Sequence, residues 1–368
     1  MMLSAAIRTR LSPDFVLDVR FAAAPGITML FGASGSGKTT ILRCLAGLRR
    51  PDAGQMVIGD RVLFDADRHV DVPARERRLG YVFQHLALFP HMTVEQNLHY
   101  GLAQFDLPAR RERTQAIAAS FRIAHLLGRK PGDISGGERQ RTALARSLVT
   151  DPRLLLLDEP LSALDRMTQS RIIEDLRAWN AAHGIPILYV THSHREVFAL
   201  AEHVIVLRAG RILAEGTPQE VLETPADEPL AQLAGFENFF DATVMTLRPD
   251  GGTMHCRLAE GELELEVPLA RAKPGAEVRI AVRAGDILLA TEEPRGLSAR
   301  NVIPGTVTSI QREGATVILL VNVGIRFEVH ITPGARESLR LAPGQQVWLV
   351  IKTHSCRIVS VGRSGLQP

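Results

Sequence analysis

The run Gly32-Ala33-Ser34-Gly35-Ser36-Gly37-Lys38-Thr39 satisfies the pattern G-x-x-x-x-G-K-[ST], a spacing whose chemistry is phosphate binding. Its small residues let successive backbone N–H groups wrap a phosphate chain. Lys38 supplies positive charge to the β- and γ-phosphates, and the Thr39 hydroxyl can sit on Mg²⁺. Thr40 closes this cofactor-binding run. A second motif, Leu154-Leu155-Leu156-Leu157-Asp158-Glu159-Pro160, offers Asp158 as a carboxylate for Mg²⁺ and, one step further out, Glu159 as a base toward an attacking water. Between them lies Ile134-Ser135-Gly136-Gly137-Glu138-Arg139-Gln140-Arg141. There Ser135 and Glu138 have the spacing of a capping box, and Gly136 and Gly137 leave a helix N-terminus bare to an anion. Two phosphate-facing helix starts in one domain imply a shared site. Three more polar residues stand beside these motifs: Gln84, suited to sense Mg²⁺ or water; His192, whose imidazole can contact a γ-phosphate; and Asp165, placed by Ser162-Ala163-Leu164 at the boundary between two such domains.

These groups need a scaffold that gathers them. Ile27 to Phe31 reads as a strand entering the glycine-rich loop, and Thr40 to Leu45 as the helix leaving it, the context a phosphate-binding loop requires. Leu154 to Leu157 is an unbroken apolar run, the mark of a parallel strand buried on both faces. Ligands of such sheets collect at the carboxyl ends of strands, where Asp158 and Glu159 stand. Gly80 to Gln84 reads as a short strand ending in an amide, and Ile187 to His192 as a buried strand ending in an imidazole. The expected fold is an α/β P-loop NTPase.

In this order, the glycine-rich loop, Gln84, Ser-Gly-Gly-Glu, Leu-Leu-Asp-Glu-Pro, Ser-Ala-Leu-Asp and Thr191-His192 resemble the ATPase of ABC transporters over residues 1–230. Ile134 stands where that family usually has Leu, and Glu138 where it usually has Gln. The resemblance implies ATP and Mg²⁺ as cofactors and a head-to-tail dimer. Each ATP would lie between Lys38 of one copy and the Ser135 helix start of the other. Phe15 lies in the region of the family's adenine-stacking aromatic and is equally readable as a core phenylalanine. The apolar stretch Leu86 to Leu98 corresponds to the family's groove for a coupling helix of a membrane permease, with an internal cluster as the alternative. A soluble ABC ATPase of DNA repair or translation would need long coiled coils or two cassettes in one chain, and neither is present.

Composition agrees. The chain has 368 residues, 45% hydrophobic and 23% charged, enough for roughly two or three domains. No apolar run reaches the roughly 18 residues that would span a bilayer. The first eight residues lack a signal-peptide core because arginine interrupts them. Cys44, Cys256 and Cys356 have no metal or redox spacing and read as small buried residues. A net charge of +3 does not call for nucleic acid as a partner.

After Thr217-Pro218-Gln219-Glu220, itself a capping box that predicts a final helix, the pattern changes. Short β-type runs separated by glycine and proline predict a small OB-like barrel region. It reads as duplicated: Asn238, Val244, Pro274-Gly275 and Val278 correspond to Asn301, Val307, Pro343-Gly344 and Val347, at a period of about 65 residues. Two related modules follow, residues 231–296 and 297–363, each too small for a core of its own, so that they pack on each other or on a second subunit. The second resembles the Mop domain of molybdate-binding proteins, and the whole chain resembles the ATPase subunits of bacterial molybdate importers. Carried over, that resemblance makes Ser298, Arg300 and Lys352 ligands of a tetrahedral oxyanion, molybdate or also tungstate. It implies a peripheral place at the cytoplasmic face of the inner membrane, with permease subunits as partners and a periplasmic molybdate-binding protein acting indirectly. The same motor serving sulfate or iron is the alternative.

Overall fold

The computed structural model describes residues 2–223 and 225–361. Residues 362 and 363, the expected end of the second β module, lie outside them. The chain divides into two compact units, Met1–Pro218 and Gln219–Pro368.

The first unit opens with β1 (Leu3–Ser12) and β2 (Phe15–Ala23), an antiparallel pair that buries alternate side chains such as Leu3, Ala5 and Ile7, as the two-residue period of a strand requires. β3 (Gly26–Phe31) is buried throughout and runs into the glycine-rich loop and α1 (Lys38–Ala46). β4 (Ala53–Ile58), β5 (Arg61–Asp65) and β6 (Val70–Asp71) complete a five-stranded sheet of order β2-β1-β4-β5-β6. Next come β7 (Leu79–Val82), the helices α2 (Val94–His99), α3 (Leu107–Ser120) and α4 (Gly136–Leu148), and β8 (Leu154–Asp158). The unit ends with α5 (Arg166–His183), β9 (Pro186–Thr191), α6 (His194–Leu200), β10 (His203–Arg208) and β11 (Arg211–Gly216). The second sheet has the order β11-β10-β3-β9-β8-β7 and is parallel except for the β10–β11 hairpin.

Ile41, Leu42 and Leu45 of α1 share one apolar core with Leu3 and Ile7 of the antiparallel sheet and Leu154 and Leu156 of the parallel one. Arg77 is 1% exposed and fastens the end of α1. Its guanidinium donates to Cys44 O (2.8 Å), Leu45 O (2.7 Å), Val72 O (2.7 Å) and the Asp71 carboxylate (2.9 Å). These bonds and the negative end of the helix dipole offset the cost of burying the charge.

Two sequence expectations shift. The strand expected over Gly80 to Gln84 ends at Val82, and Gln84 lies in the following turn. The helix expected after Thr217 is a single π-type turn, Gln219–Glu223; Pro225 follows, and a proline disfavours helical geometry in the residue before it.

The second unit begins with α7 (Glu228–Leu233). It continues with β12 (Asn238–Arg248), β13 (Thr253–Leu258), β14 (Glu264–Pro268), β15 (Glu277–Val282) and β16 (Leu288–Ala290). The pattern then repeats as β17 (Asn301–Glu313), β18 (Thr316–Asn322), β19 (Arg326–Ile331), α8 (Pro333–Ser338), β20 (Gln346–Ile351) and β21 (Cys356–Val361). Two five-stranded sheets result, β14-β13-β12-β15-β21 and β16-β20-β17-β18-β19, so each repeat gives its last strand to the other. Asn238 and Asn301 hold equivalent places. Asn238 bonds both the N–H and the C=O of Glu328 (2.7 and 2.9 Å), and Asn301 those of Glu266 (2.7 and 2.9 Å). Both repeats feed one apolar core, from Val244 and Ile280 to Phe327 and Leu349.

Asn301→Ala would strand the peptide groups of Glu266 without partners. The expected cost is about 2 kcal/mol, read as a lower denaturant midpoint of the full chain by Trp348 fluorescence in a Trp179→Phe background.

Candidate functional site

The register of the parallel sheet brings the motif residues to one edge. Phe31, which enters the glycine-rich loop, pairs with Thr191, and Asp158 pairs with Val190. Gly32 has no side chain because β10 leaves no space: a Cβ there would lie 2.2 Å from Leu207 O, and its φ is +149°. Ala33, Ser34 and Gly35 are exposed, Gly37 precedes α1, and Thr40 is half-buried in its first turn. Lys38 turns back into the loop and donates to Gly32 O and Ala33 O at 2.8 Å each, with Ser36 Oγ at 3.5 Å. Burial lowers the pKa of Lys38, and the nearby carboxylates of Glu159 and Asp158 oppose that shift.

Thr39 Oγ1 donates to Asp158 Oδ1 at 2.9 Å, and Tyr81 OH to Asp158 Oδ2 at 3.2 Å. Hydroxyl and carboxylate oxygens are hard donors, and Mg²⁺ is usually held by one or two carboxylates together with substrate phosphates and waters. No cluster of three or more His, Cys, Asp or Glu exists among the described residues. The site therefore fits a metal that arrives with its nucleotide, not one caged by protein.

Glu159 sits at φ +45°, a strained region for a residue with a side chain, held by its N–H on Val190 O at 3.1 Å. Its Oε1 is 3.4 Å from His192 Nδ1, and His192 is 61% exposed just beyond β9. Carboxylate and imidazole are thus neighbours. Gln84 is exposed in the turn after β7 and, among the described residues, bonds neither Thr39 nor Asp158. The loop beyond it is tied to α4: Arg146 donates to Leu86 O (3.0 Å) and Ala87 O (2.8 Å), two residues with positive φ. Asn97 stitches the same loop internally, accepting from Phe89 N at 2.9 Å and donating to Phe89 O at 3.1 Å.

Ser135 caps α4 in a complete capping box: Glu138 N donates to Ser135 Oγ (3.3 Å), and Ser135 N to Glu138 Oε2 (2.7 Å). Those backbone bonds hold the Glu138 carboxyl below the usual carboxylate range. Gly136, Gly137 and Asp165 join them around a cavity of about 550 Å³, with Arg122, Arg141 and Arg171 on its walls. Asp165 caps α5, accepting from Met167 N and Thr168 N at 3.0 Å each. The two glycines differ. A Cβ on Gly137 would meet Thr168 Cγ2 at 2.5 Å, so this glycine serves helix packing, while Gly136 has ordinary room at 3.5 Å from Leu164. Arg141 ion-pairs with buried Asp175 of α5, which Arg122 also reaches at 3.1 Å. Among the described residues no hydrogen bond or ion pair links Ser135, Gly136, Gly137 or Glu138 to the glycine-rich loop. The chain does not bring the Ser135 helix start and the glycine-rich loop together.

The tip of the Phe15 ring lies 3.8 Å from where a Cβ of Gly37 would stand, and the ring also packs on the core. The residues that sequence reasoning missed are Tyr81, Arg77 and Arg146. Their partners lie 77, 33 and 60 residues away, beyond any local spacing rule.

In the second unit, Asn301 pairs with Ile351 at the end of antiparallel β17 and β20, which sets Arg300 and Lys352 together just beyond that pair, with Ser298 just upstream. All three are exposed. The equivalent pair in the first repeat, Asn238 with Val282, is flanked by Glu237 and Arg283. There Glu237 accepts from Ala284 N at 2.8 Å, and Arg283 turns onto the Phe236 ring (4.5 Å) and Leu222 O (3.0 Å).

Fold and site define an ABC-type ATPase cassette followed by an OB-like accessory region. Residues 17–162 match the ABC transporter family and residues 297–358 the TOBE domain. The chain is 40% identical over 93% of its length, and 92% of the relative's, to the molybdenum import ATP-binding protein ModC of Mesorhizobium japonicum. To the ModC of Rhizobium meliloti it is 39% identical over 96% of its length and 99% of the relative's. A solved structure, the dimeric ABC transporter cassette MJ0796, superposes at a TM-score of 0.51 with 26% identity, covering 59% of this chain and 99% of the cassette. The chain belongs to the ModC family of molybdenum import ATP-binding proteins. No helix among the described residues is long and apolar enough to cross a membrane.

Gly137→Ala should lower stability by about 1–3 kcal/mol through overpacking on Thr168, and Gly136→Ala should be better tolerated. Denaturant midpoints check this; adding Thr168→Ser, which removes the opposing methyl, should restore much of the loss.

Proposed function

We propose that this chain is the ATP-hydrolysing subunit of an importer that powers molybdate uptake, working as a head-to-tail pair on permease subunits at the cytoplasmic face of the membrane. A periplasmic molybdate-binding protein would deliver the anion to that permease. The observation that carries the paired arrangement is the separation of half-sites. Lys38, Asp158 and Glu159 gather at one edge, while the Ser135 helix start opens into a cavity of its own.

In this reading Lys38 and the backbone of residues 32 to 40 hold the ATP phosphates of one copy. Ser135, Gly136, Gly137 and Glu138 of the other copy cover them, with Asp165 beside the junction. Thr39 and Asp158 hold Mg²⁺, which when bound neutralises charge on the β- and γ-phosphate oxygens. Glu159 polarises the attacking water, and His192, next to it, contacts the γ-phosphate. Gln84 senses the site from the turn whose continuation Arg146 ties to α4, and the neighbouring stretch around Phe89 receives the permease. In the second unit Ser298, Arg300 and Lys352 offer hydroxyl, guanidinium and ammonium donors to molybdate, or to tungstate of the same shape and charge.

Glu159→Gln should cut ATP hydrolysis by at least about a hundredfold and still form an ATP-dependent dimer on size exclusion. Retained turnover would reject the base assignment. A Ser135→Arg variant that still dimerises with ATP would remove the shared site. For the oxyanion, calorimetric titration of the full chain should show molybdate and tungstate binding that Arg300→Ala weakens at least about tenfold. Sulfate binding as tightly as molybdate would favour a transporter for another anion.

A further inference from the structure

Asp158 is engaged on both carboxylate oxygens, and the second partner is a residue that the nucleotide motifs do not include. Tyr81 stands in β7 opposite Leu156 of β8, half-buried against the same core that packs α1, with its ring 4.2 Å from that of Phe83. Its phenol donates to Asp158 Oδ2 at 3.2 Å. Its own carbonyl shares the single Ser147 hydroxyl hydrogen of α4 with Ala143 O, at 3.1 and 3.0 Å from Ser147 Oγ. Ring packing on one side and the main-chain bond on the other leave the phenol aimed at the carboxylate.

We propose that Tyr81 is a positioning residue for the metal-binding carboxylate: its hydroxyl occupies Asp158 Oδ2 and thereby turns Oδ1 toward Thr39 and the Mg²⁺ that accompanies ATP. The inference rests on the nucleotide-site reading above. Asp158 is buried, yet a carboxylate at the end of a strand can still rotate about two side-chain bonds. A donor fixed on the neighbouring strand removes that freedom before the metal arrives. Partners of this kind, one step behind the ligands, typically tune metal affinity by about 10–100-fold.

Tyr81→Phe deletes the hydroxyl and keeps the ring, so stacking on Phe83 and burial persist. Nucleotide binding by the full chain is measured with a fluorescent ATP analogue, first in EDTA and then along a Mg²⁺ titration. The expected result is metal-free affinity within about twofold of wild type and a half-saturating Mg²⁺ concentration raised about tenfold. An unchanged Mg²⁺ dependence overturns the proposal, as does an equal loss with and without metal, which would make the hydroxyl a general packing group. A wild-type chain that binds no ATP, or binds it equally with Lys38→Ala, would instead sink the nucleotide-site reading. A second measurement needs no substitution at Tyr81. The chain has 3 tyrosines, so fluorotyrosine labelling gives a simple ¹⁹F spectrum, assigned by elimination with Tyr100→Phe and Tyr189→Phe. Addition of Mg²⁺ to the ATP-loaded protein should shift the Tyr81 resonance, and a resonance that does not move rejects contact with the metal-side carboxylate.

Discussion

Burial of the parallel strands on both faces is the constraint from which the site follows. Leu154 to Leu157 and Ile187 to Val190 are each 0% exposed, so neither strand can carry a charged group along its length without a large desolvation cost. Polar chemistry emerges only where the strands stop. Because β3, β8 and β9 are parallel and in register, they stop at the same edge. The loop before Lys38, the carboxylates of Asp158 and Glu159, and His192 are therefore neighbours by topology, before any side chain chooses a partner. The strained φ of Glu159 belongs to the same constraint, since the chain must turn sharply out of a strand whose hydrogen bonds persist to its last residue.

Helix α4 gives that edge a second connection. At its N-terminus Ser135 lines a cavity of its own; in its last turn Arg146 holds the loop beyond Gln84 and Ser147 holds Tyr81. Arg141 in between is locked to Asp175 of α5, the helix that Asp165 caps. Helix α4 joins the Ser135 helix start to the loop beyond Gln84 and to the strand that carries Tyr81. One element thus touches the groups assigned to nucleotide, metal and partner recognition.

How much of this was legible in the sequence depended on separation along the chain. The glycine-rich loop, the Asp158-Glu159 strand end and the Ser135 capping box are local, and spacing within eight residues is enough to read both the element and its chemistry. The strand expected to reach Gln84 failed because an apolar run does not show where pairing with β8 ends, which is at Val82. The helix expected after Thr217 is one π-type turn, Gln219–Glu223, because spacing alone marks where a helix starts and not how far it runs. Arg77 read as one more arginine among many, and only the folded chain shows it closing the end of α1. The likeness of Asn238 and Asn301 was visible as a repeat. The exchange of final strands between the repeats was not, because strand pairing across the repeats leaves no local mark in the spacing of β16 or β21.

That exchange explains how a duplicated pair of small modules can differ in chemistry without losing its fold. With β16 completing one sheet and β21 the other over a single core, neither repeat folds without its neighbour, and the paired asparagines fix the register at both ends. Stability is vested in the shared core and those asparagines, which releases the residues flanking them. In the first repeat Glu237 closes the position on itself through the Ala284 N–H, and Arg283 is drawn away onto Phe236. In the second the same positions carry Arg300 and Lys352, both exposed and of one sign. Like charges placed side by side repel unless an anion lies between them. The geometric repeat therefore yields one position that carries its own carboxylate and one that carries two cations, and the difference comes down to which charge stands before each asparagine.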